Sequence, residues 1–533
     1  MRKFSSYGPI DTDLHYYAPR QALVDQALTN LLGENPIKGG HYITVWAPRQ
    51  RGKTWIFQQV FHRLRSEPRY REAFDVVYVP LEYLKGERDS GAIAQALGQE
   101  ITRALDLPPI AVREMREIEQ VFSPQVLRKP LILVLDEFDA LIEEAISSIT
   151  GVLRNIYIRR QIEADRPTGE KSYLLHGVAL IGVRAVLGVE NPRGSPFNVQ
   201  RSLHVPNLTF AEVQGLFDWY TRESGQAVEP AVVGRLFDET RGQPGLTCWF
   251  GELLTETYNS DPTQPIGMAV FEEAYGAASA VLPNNNILNI ISKARQEPYK
   301  GFVLDMFRTD EKVAFKYDDP VINFLYLNGV IDWEREGPSE YTLRFPSPFV
   351  QKRLFSHFAT ELFREPGRLY DPFEDLSDTI TDVSLDVPNL LRRYERYLQR
   401  NRGWLLKDAP RRADLRIYEA VYHFNLFTFL SRFMQRRDAQ VYPEFPTGNG
   451  KVDILIKYAG QVYALEVKSY ADELAYLAAL QQAAAYGRQL GLTEIVLAFF
   501  VERVDDASRQ KYEAIYLDPA TGVAVRPAFV QTE

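Results

Sequence analysis

The chain has 533 residues, a formal net charge of −9, 45% hydrophobic and 25% charged residues, and one cysteine, Cys248. This is the balance of folded protein in about three or four domains, and it excludes a disordered chain, an intramolecular disulfide, a cysteine-based zinc cluster and a protein that coats nucleic acid by overall charge. No 18-residue apolar run occurs and the start, Met1-Arg2-Lys3-Phe4-Ser5-Ser6-Tyr7-Gly8, has no apolar signal core, so no membrane partner is expected and the cytoplasm is the expected location.

Gln21 to Leu32 is helix-like and ends at Gly33. Tyr42-Ile43-Thr44-Val45-Trp46 reads as a strand, followed by Ala47-Pro48-Arg49-Gln50-Arg51-Gly52-Lys53-Thr54 and a helical run from Trp55. Strand, tight loop with Gly-Lys-Thr and helix start are the setting of a phosphate-cradling loop. Backbone N–H groups of Arg49, Gln50, Arg51 and Gly52 would meet the phosphates of ATP, Lys53 would reach the β/γ oxygens, and the Thr54 hydroxyl would bind Mg²⁺. Ala47 stands where the pattern wants glycine, and its Cβ restricts φ there.

Phe74 to Val79 reads as a second strand, and residues 88–105 and 111–120 as helices. Leu131-Ile132-Leu133-Val134-Leu135 is an apolar strand tipped by Asp136, Glu137 and Asp139. Ligands in parallel sheets bind at such C-terminal strand ends. Asp136 would hold the magnesium shell and Glu137 would polarise the attacking water, with Asp139 the next candidate base. Helix over 141–163 and a strand within 172–183 continue the alternation, which argues an α/β fold with a parallel sheet covered on both faces.

Beyond Phe210 helices take over, at 211–220, 230–238 and 246–257, with a turn at Thr240-Arg241-Gly242-Gln243-Pro244-Gly245. Residues 287–356 read as helices with a hairpin, Val330 to Glu334 against Tyr341 to Phe345, followed by a helix over 348–363. That pattern resembles a winged-helix domain. Few basic residues fall in 318–330, which favours packing over DNA contact. Residues 366–388 are acidic and turn-rich, holding Asp371, Glu374, Asp375, Asp378, Asp382 and Asp386, and read as a linker. A stretch of net charge +6 follows between Arg392 and Arg416, open to reading as a solvated helix face or as a phosphate contact. The resulting division is 1–210 ATPase core, 211–286 helical lid, 287–365 winged-helix-like, 366–386 linker and 387–533 a mixed α/β domain.

The last domain opens with helices over 387–400 and 411–436. Lys451 to Tyr458 and Gln461 to Ser469 form a hairpin across Ala459-Gly460. Alternation puts Glu466 and Lys468 on one face, with Asp453 on the neighbouring strand. Core packing asks for no such convergence. Two carboxylates, Asp453 and Glu466, with the Val467 carbonyl offer the hard oxygen donors that Mg²⁺ takes, and Lys468 would orient the nucleophile and stabilise the transition state. Glu419 on the preceding helix is within reach of the same cluster. The plain reading is a surface hairpin with an ordinary Glu/Lys pair.

Residues 1–255 resemble prokaryotic AAA-like ATPases of the STAND kind, through Tyr16-Tyr17-Ala18-Pro19-Arg20, the Gly52-Lys53-Thr54 loop, Leu133-Val134-Leu135-Asp136-Glu137-Phe138-Asp139, Ser195-Pro196-Phe197-Asn198 and Arg241-Gly242-Gln243-Pro244. The resemblance implies a sensor role for Arg184 near the γ-phosphate and a place for Pro244 near the nucleotide base, with a winged-helix lid. Residues 387–533 resemble PD-(D/E)xK nucleases. That resemblance implies catalytic roles for Glu419, Asp453, Glu466 and Lys468, and for Gln482 in a Gln-x-x-x-Tyr motif, Gln482 to Tyr486. Val452 replaces the family's proline before the strand Asp. Together these imply an ATP-regulated, Mg²⁺-dependent DNA endonuclease of prokaryotic defence or mobile elements, forming a homo-oligomer on nucleotide or substrate binding. The alternative is a nucleotide-gated scaffold that binds nucleic acid or protein without cutting.

Overall fold

The structure, a computed structural model, describes residues 1–8, 10–182, 200–307, 313–365, 367–411, 417–446, 451–470 and 472–532. In chain order come α1 (Gln21–Leu32), β1 (Tyr42–Trp46), α2 (Lys53–Ser66), α3 (Pro68–Arg71), β2 (Asp75–Pro80), α4 (Ser90–Ala104), β3 (Leu131–Asp136), α5 (Glu143–Ile162), β4 (Leu175–Gly182) and β5 (Gln200–His204). Helices follow: α6 (Phe210–Ser224), α7 (Pro230–Thr240), α8 (Pro244–Glu252), α9 (Met268–Ala280), α10 (Asn285–Ala294), α11 (Tyr299–Asp305) and α12 (Pro320–Leu327). Then come β6 (Asp332–Arg335), β7 (Tyr341–Arg344), α13 (Pro348–Leu362), α14 (Val387–Leu405), α15 (Glu419–Met434), β8 (Ala439–Pro446), β9 (Lys451–Tyr458) and β10 (Gln461–Ser469). The chain finishes with α16 (Glu473–Gln489), β11 (Glu494–Val501), α17 (Asp506–Tyr512), β12 (Tyr516–Leu517) and β13 (Ala524–Gln531).

These elements form two compact units, Met1–Asn286 with Lys316–Ile331, and Ile287–Phe315 with Asp332–Glu533. Contacts therefore place α12 in the first unit and the β6–β7 hairpin and α13 in the second.

The first unit is built on a five-stranded sheet of order β2-β3-β4-β1-β5 with every pair parallel. All six residues of β3 are buried, as a strand covered on both faces requires. Its alternate residues feed two cores. Leu131, Leu133 and Leu135 pack with Ile93, Leu97, Ile149 and Leu153, while Ile132 and Val134 pack with Leu28, Ile56, Phe57 and Val60. The loop after β1 thus lies at the C-terminal edge of the sheet, with β4 between it and the end of β3. The helix expected over 111–120 is a 3₁₀ stretch, Met115–Phe122.

The second unit carries a six-stranded mixed sheet of order β12-β13-β11-β10-β9-β8. α16 covers one face through Tyr476, Leu480 and Ala483, against Leu455, Leu497 and Phe499. Tyr394 of α14 and Tyr422 of α15 lie against Phe500, which alternation turns to the opposite face. Phe424 of α15 stacks among Phe307, Phe355 and Phe358, which fastens α13 to α15. β6 and β7 pair antiparallel as the wing pattern predicts.

Candidate functional site

The loop between β1 and α2 turns through two left-handed residues, Gln50 (φ 57°) and Gly52 (φ 85°). Ala47 is fully buried and is not left-handed, so the loop does not need glycine there. Lys53 Nζ donates to the Ala47 carbonyl at 2.8 Å and to the Pro48 carbonyl at 3.0 Å. Crowding by the surrounding protein pushes its pKa down to about 8, against the pull of Asp139 and then Asp136. The loop lysine and the acids of β3 therefore share one site. Thr54 is exposed beside them.

Asp136, 5% exposed, has both oxygens engaged: Oδ1 accepts from the Glu137 N–H at 2.9 Å, and Oδ2 accepts from the Tyr78 hydroxyl. Thr54 is a further polar neighbour of that phenol. Sequence reasoning missed Tyr78. Its signal is alternation along β2, but that becomes informative only once β2 is known to lie beside β3. Glu137 is held left-handed (φ 55°), and burial followed by the neighbouring Glu82 pushes its carboxyl up to about 7. The Asp139 carboxylate lies over Gly182, where a Cβ would stand 2.9 Å from Oδ1. Thr54 and Asp136 are hard oxygen donors side by side, a set that fits magnesium.

Pro244 opens α8, and the next residue reaches the loop. The Gly245 N–H donates to the Gln50 carbonyl at 3.3 Å, and a Cβ at 245 would fall 2.2 Å from Gln50 Oε1. The Tyr16-to-Arg20 segment also closes on this region. Tyr17 packs edge-on to Trp55 at 5.0 Å, and Arg20 donates to the Pro206 carbonyl at 2.9 Å and to Glu212. Arg184 and Ser195-Pro196-Phe197-Asn198 lie outside the described residues. The first unit has the form of a P-loop ATPase core.

In the second unit, Asp453, Glu466 and Lys468 are 1%, 0% and 5% exposed, so the pair is no surface feature. The register Leu465↔Ile454 sets Glu466 across from Asp453. Asp453 Oδ2 accepts from the Val467 N–H at 2.7 Å, while its Oδ1 has no hydrogen-bond partner among the described residues. Lys468 Nζ lies 3.3 Å from Glu466 Oε1. Gln482 Nε2 donates to the Tyr486 hydroxyl at 3.1 Å, and the charges of Glu466, Lys468 and Asp453 all act on that tyrosine. The cluster and the Gln482 helix face are therefore one place. Glu419 is the first residue of α15, but its side chain lies outside the described residues. Among the described residues no group of three or more His, Cys, Asp or Glu is placed to hold a metal. What stands here is two carboxylates, one of them with a buried orphan oxygen, a donor set that fits a magnesium ion held partly by water.

No family model and no curated protein matches the chain. Solved structures that resemble it include a Walker-type ATPase of Pyrococcus abyssi, at 12% identity over 66% of this chain and 99% of that one, TM-score 0.45. Others are the Aeropyrum pernix ORC1 protein in complex with DNA (17%, 65% and 95%, TM-score 0.34) and the Thermotoga maritima RuvB Holliday junction branch migration motor (12%, 63% and 95%, TM-score 0.35). Likenesses this shallow carry no argument about activity. The form of the first unit rests on its own sheet order, loop and acids. No helix among the described residues is long and apolar enough to cross a membrane.

Proposed function

We propose that the chain is an ATP-binding and ATP-hydrolysing protein whose second unit is a magnesium-dependent nuclease acting on DNA, with nucleotide occupancy switching the state in which it cuts. The observation that carries the nuclease reading is the buried cluster of Asp453, Glu466 and Lys468 on paired strands. A hydrophobic sheet centre gains nothing from burying three ionisable groups, and Asp453 Oδ1 has no hydrogen-bond partner there among the described residues.

In the first unit, phosphate oxygens would replace the Ala47 and Pro48 carbonyls as acceptors for Lys53, and the N–H groups of residues 49–52 would line the same phosphates. Thr54 and Asp136 would hold magnesium, which supplies charge neutralisation. Glu137 would take the proton of the attacking water. In the second unit, Asp453, Glu466 and the Val467 carbonyl would hold magnesium, which neutralises charge at the scissile phosphate. Lys468 would then leave Glu466 to orient the nucleophile, and Gln482 with Tyr486 would border the substrate. Glu419 and Arg184 keep the roles that the family resemblances give them. We further take the cytoplasm as the location, a homo-oligomer as the nucleotide-bound form, and the five-part division given above as the order of functional modules.

The scaffold alternative has one observation in its favour: Lys468 lies 3.3 Å from Glu466 in a cluster that, among the described residues, has no third acid or histidine. Plasmid cleavage with Mg²⁺ or Mn²⁺, with and without ATP, separates the two. The nuclease reading expects metal-dependent cutting that Asp453→Ala and Lys468→Ala each lose. Cutting by both variants at the parental rate makes the cluster structural. DNA binding without cutting under any of these conditions establishes the scaffold.

A further inference from the structure

The acidic segment read as a linker is docked on a helix. It runs antiparallel to α14. The Asn389 amide donates to the Asp378 carbonyl at 2.9 Å, Arg393 pairs with Asp378 and Glu374, Arg396 lies 3.3 Å from Glu374, and Arg400 lies 3.3 Å from Asp371. At the far end Gly367, left-handed at φ 71°, lies against the indole of Trp404, where a Cβ would stand 2.9 Å from Cζ2. The segment is thus a strap of carboxylates ending in backbone packed against an aromatic ring.

Helical spacing puts Arg393, Arg396, Arg400 and Trp404 on one stripe. The four differ in burial. The Arg393 side chain is 5% exposed and is the anchor, whereas Arg396 and Arg400 are 54% and 49% exposed and Trp404 is 49% exposed. Exposed ion pairs such as Arg396–Glu374 and Arg400–Asp371 are individually worth little and are screened by salt. A polyanion that releases condensed counterions on binding competes well for such arginines. A row of cations leading to an aromatic face is the chemistry that binds a sugar-phosphate backbone and stacks an unpaired base.

We propose that the Arg396–Arg400–Trp404 stripe of α14 is a binding face for single-stranded nucleic acid, and that the strap from Gly367 to Asp378 covers it as a built-in mimic. Arg393 keeps the strap tethered while the outer arginines exchange carboxylate for phosphate. The inference deepens the nucleic-acid half of the proposed function and requires no cleavage.

The test uses the full chain in chelator, with fluorescence anisotropy of labelled oligothymidylate, oligouridylate and a duplex. Asp371→Asn with Glu374→Gln is expected to bind either single strand at least about tenfold more tightly than the parent, with a log K against log salt slope steeper by about 1.4, two phosphate contacts' worth. Arg400→Ala with Trp404→Ala in that background is expected to remove the gain. Since Glu374 also serves the anchor, Asp371→Asn alone is the milder variant and should show part of the gain. In the parent, oligothymidylate should speed amide hydrogen exchange across 371–378. Unchanged affinity in the strap variants, a gain confined to duplex, a gain that survives loss of Arg400 and Trp404, or unaltered exchange in the strap would each overturn the proposal. A difference between the two single strands tells whether the DNA or the RNA strand is preferred. Because metal is absent, this outcome is independent of whether the chain cuts.

Discussion

The Asp136 carboxylate owes its orientation to one phenol and one backbone N–H, those of Tyr78 and Glu137. Tyr78→Phe keeps the ring against Phe61 and removes only the donor to a buried charge, so it is expected to cost the nucleotide-free protein about 1.5–3 kcal/mol in urea unfolding. A cost below about 0.5 kcal/mol would mean the hydroxyl does not hold the carboxylate. Lys53 supplies the cation between the loop carbonyls and the β3 acids, so Lys53→Ala should abolish ATP binding in a calorimetric titration while leaving the melting curve in place. His176 makes a third case, away from any site. Its Nε2 lies 3.1 Å from the Leu32 carbonyl, which only accepts, so Nε2 carries the proton, and Nδ1 faces the Thr168 hydroxyl at 2.9 Å. Burial, then the Arg160 charge, pushes its pKa down to about 3. The fold therefore holds the neutral ring. That stabilisation is complete above the unfolded value near 6.5 and is lost as pH falls from there toward 3, at up to about 1.4 kcal/mol per unit. Unfolding midpoints measured at pH 7 and pH 5 should drop further in the parent than in His176→Asn, and equal drops would place the ring's titration elsewhere.

Among elements, α1 is seated by close backbone approach. A Cβ at Gly40 would stand 1.9 Å from the Leu31 carbonyl oxygen, and one at Gly177 would stand 2.5 Å from the same atom. The last turn of α1 meets β1 and β4 only because both positions lack a side chain. Gly40→Ala is expected to destabilise the first unit by at least about 1–3 kcal/mol, measured by denaturant midpoint, because backbone and not a flexible side chain must yield. Helices and strands with a strong period were legible in the sequence. β1, β3 and the β9–β10 hairpin fall where alternation and apolar runs predict, and at the start of α10 Asn284 Oδ1 accepts from the Asn286 N–H. β8 was not legible: Ala439 to Pro446 holds two prolines and reads as a breaker, yet it is an edge strand that among the described residues pairs only with β9, where missing N–H groups are tolerated.

For the whole molecule, the compact units cross the boundaries that composition suggests. The winged-helix pattern over 287–365 is shared between both units, and the acidic stretch is folded onto α14. α13 presents Phe355 and Phe358 to Phe424 of α15, so a fragment beginning at Asp386 would uncover that aromatic face. A fragment of 332–533 is expected to stay soluble and melt cooperatively, whereas 386–533 should melt at lower temperature or aggregate. A 386–533 fragment as stable as the longer one would show that α13 contributes nothing to that core.

Local placement was legible in the sequence alone: Gly52-Lys53-Thr54 after a strand, two acids at the tip of another, and Glu466 and Lys468 two residues apart on a strand face. Periodicity and residue type determine these because each depends on neighbours within a few positions. Only the tertiary structure decided that Tyr78 holds Asp136, that Gly245 closes on Gln50, that the Asp453 cluster is buried, and that the acidic stretch lies along the arginines of α14. Those facts depend on strand order and on which helix covers which face. Segments far apart in the chain reach such arrangements through burial and charge pairing, which leave no period in the sequence.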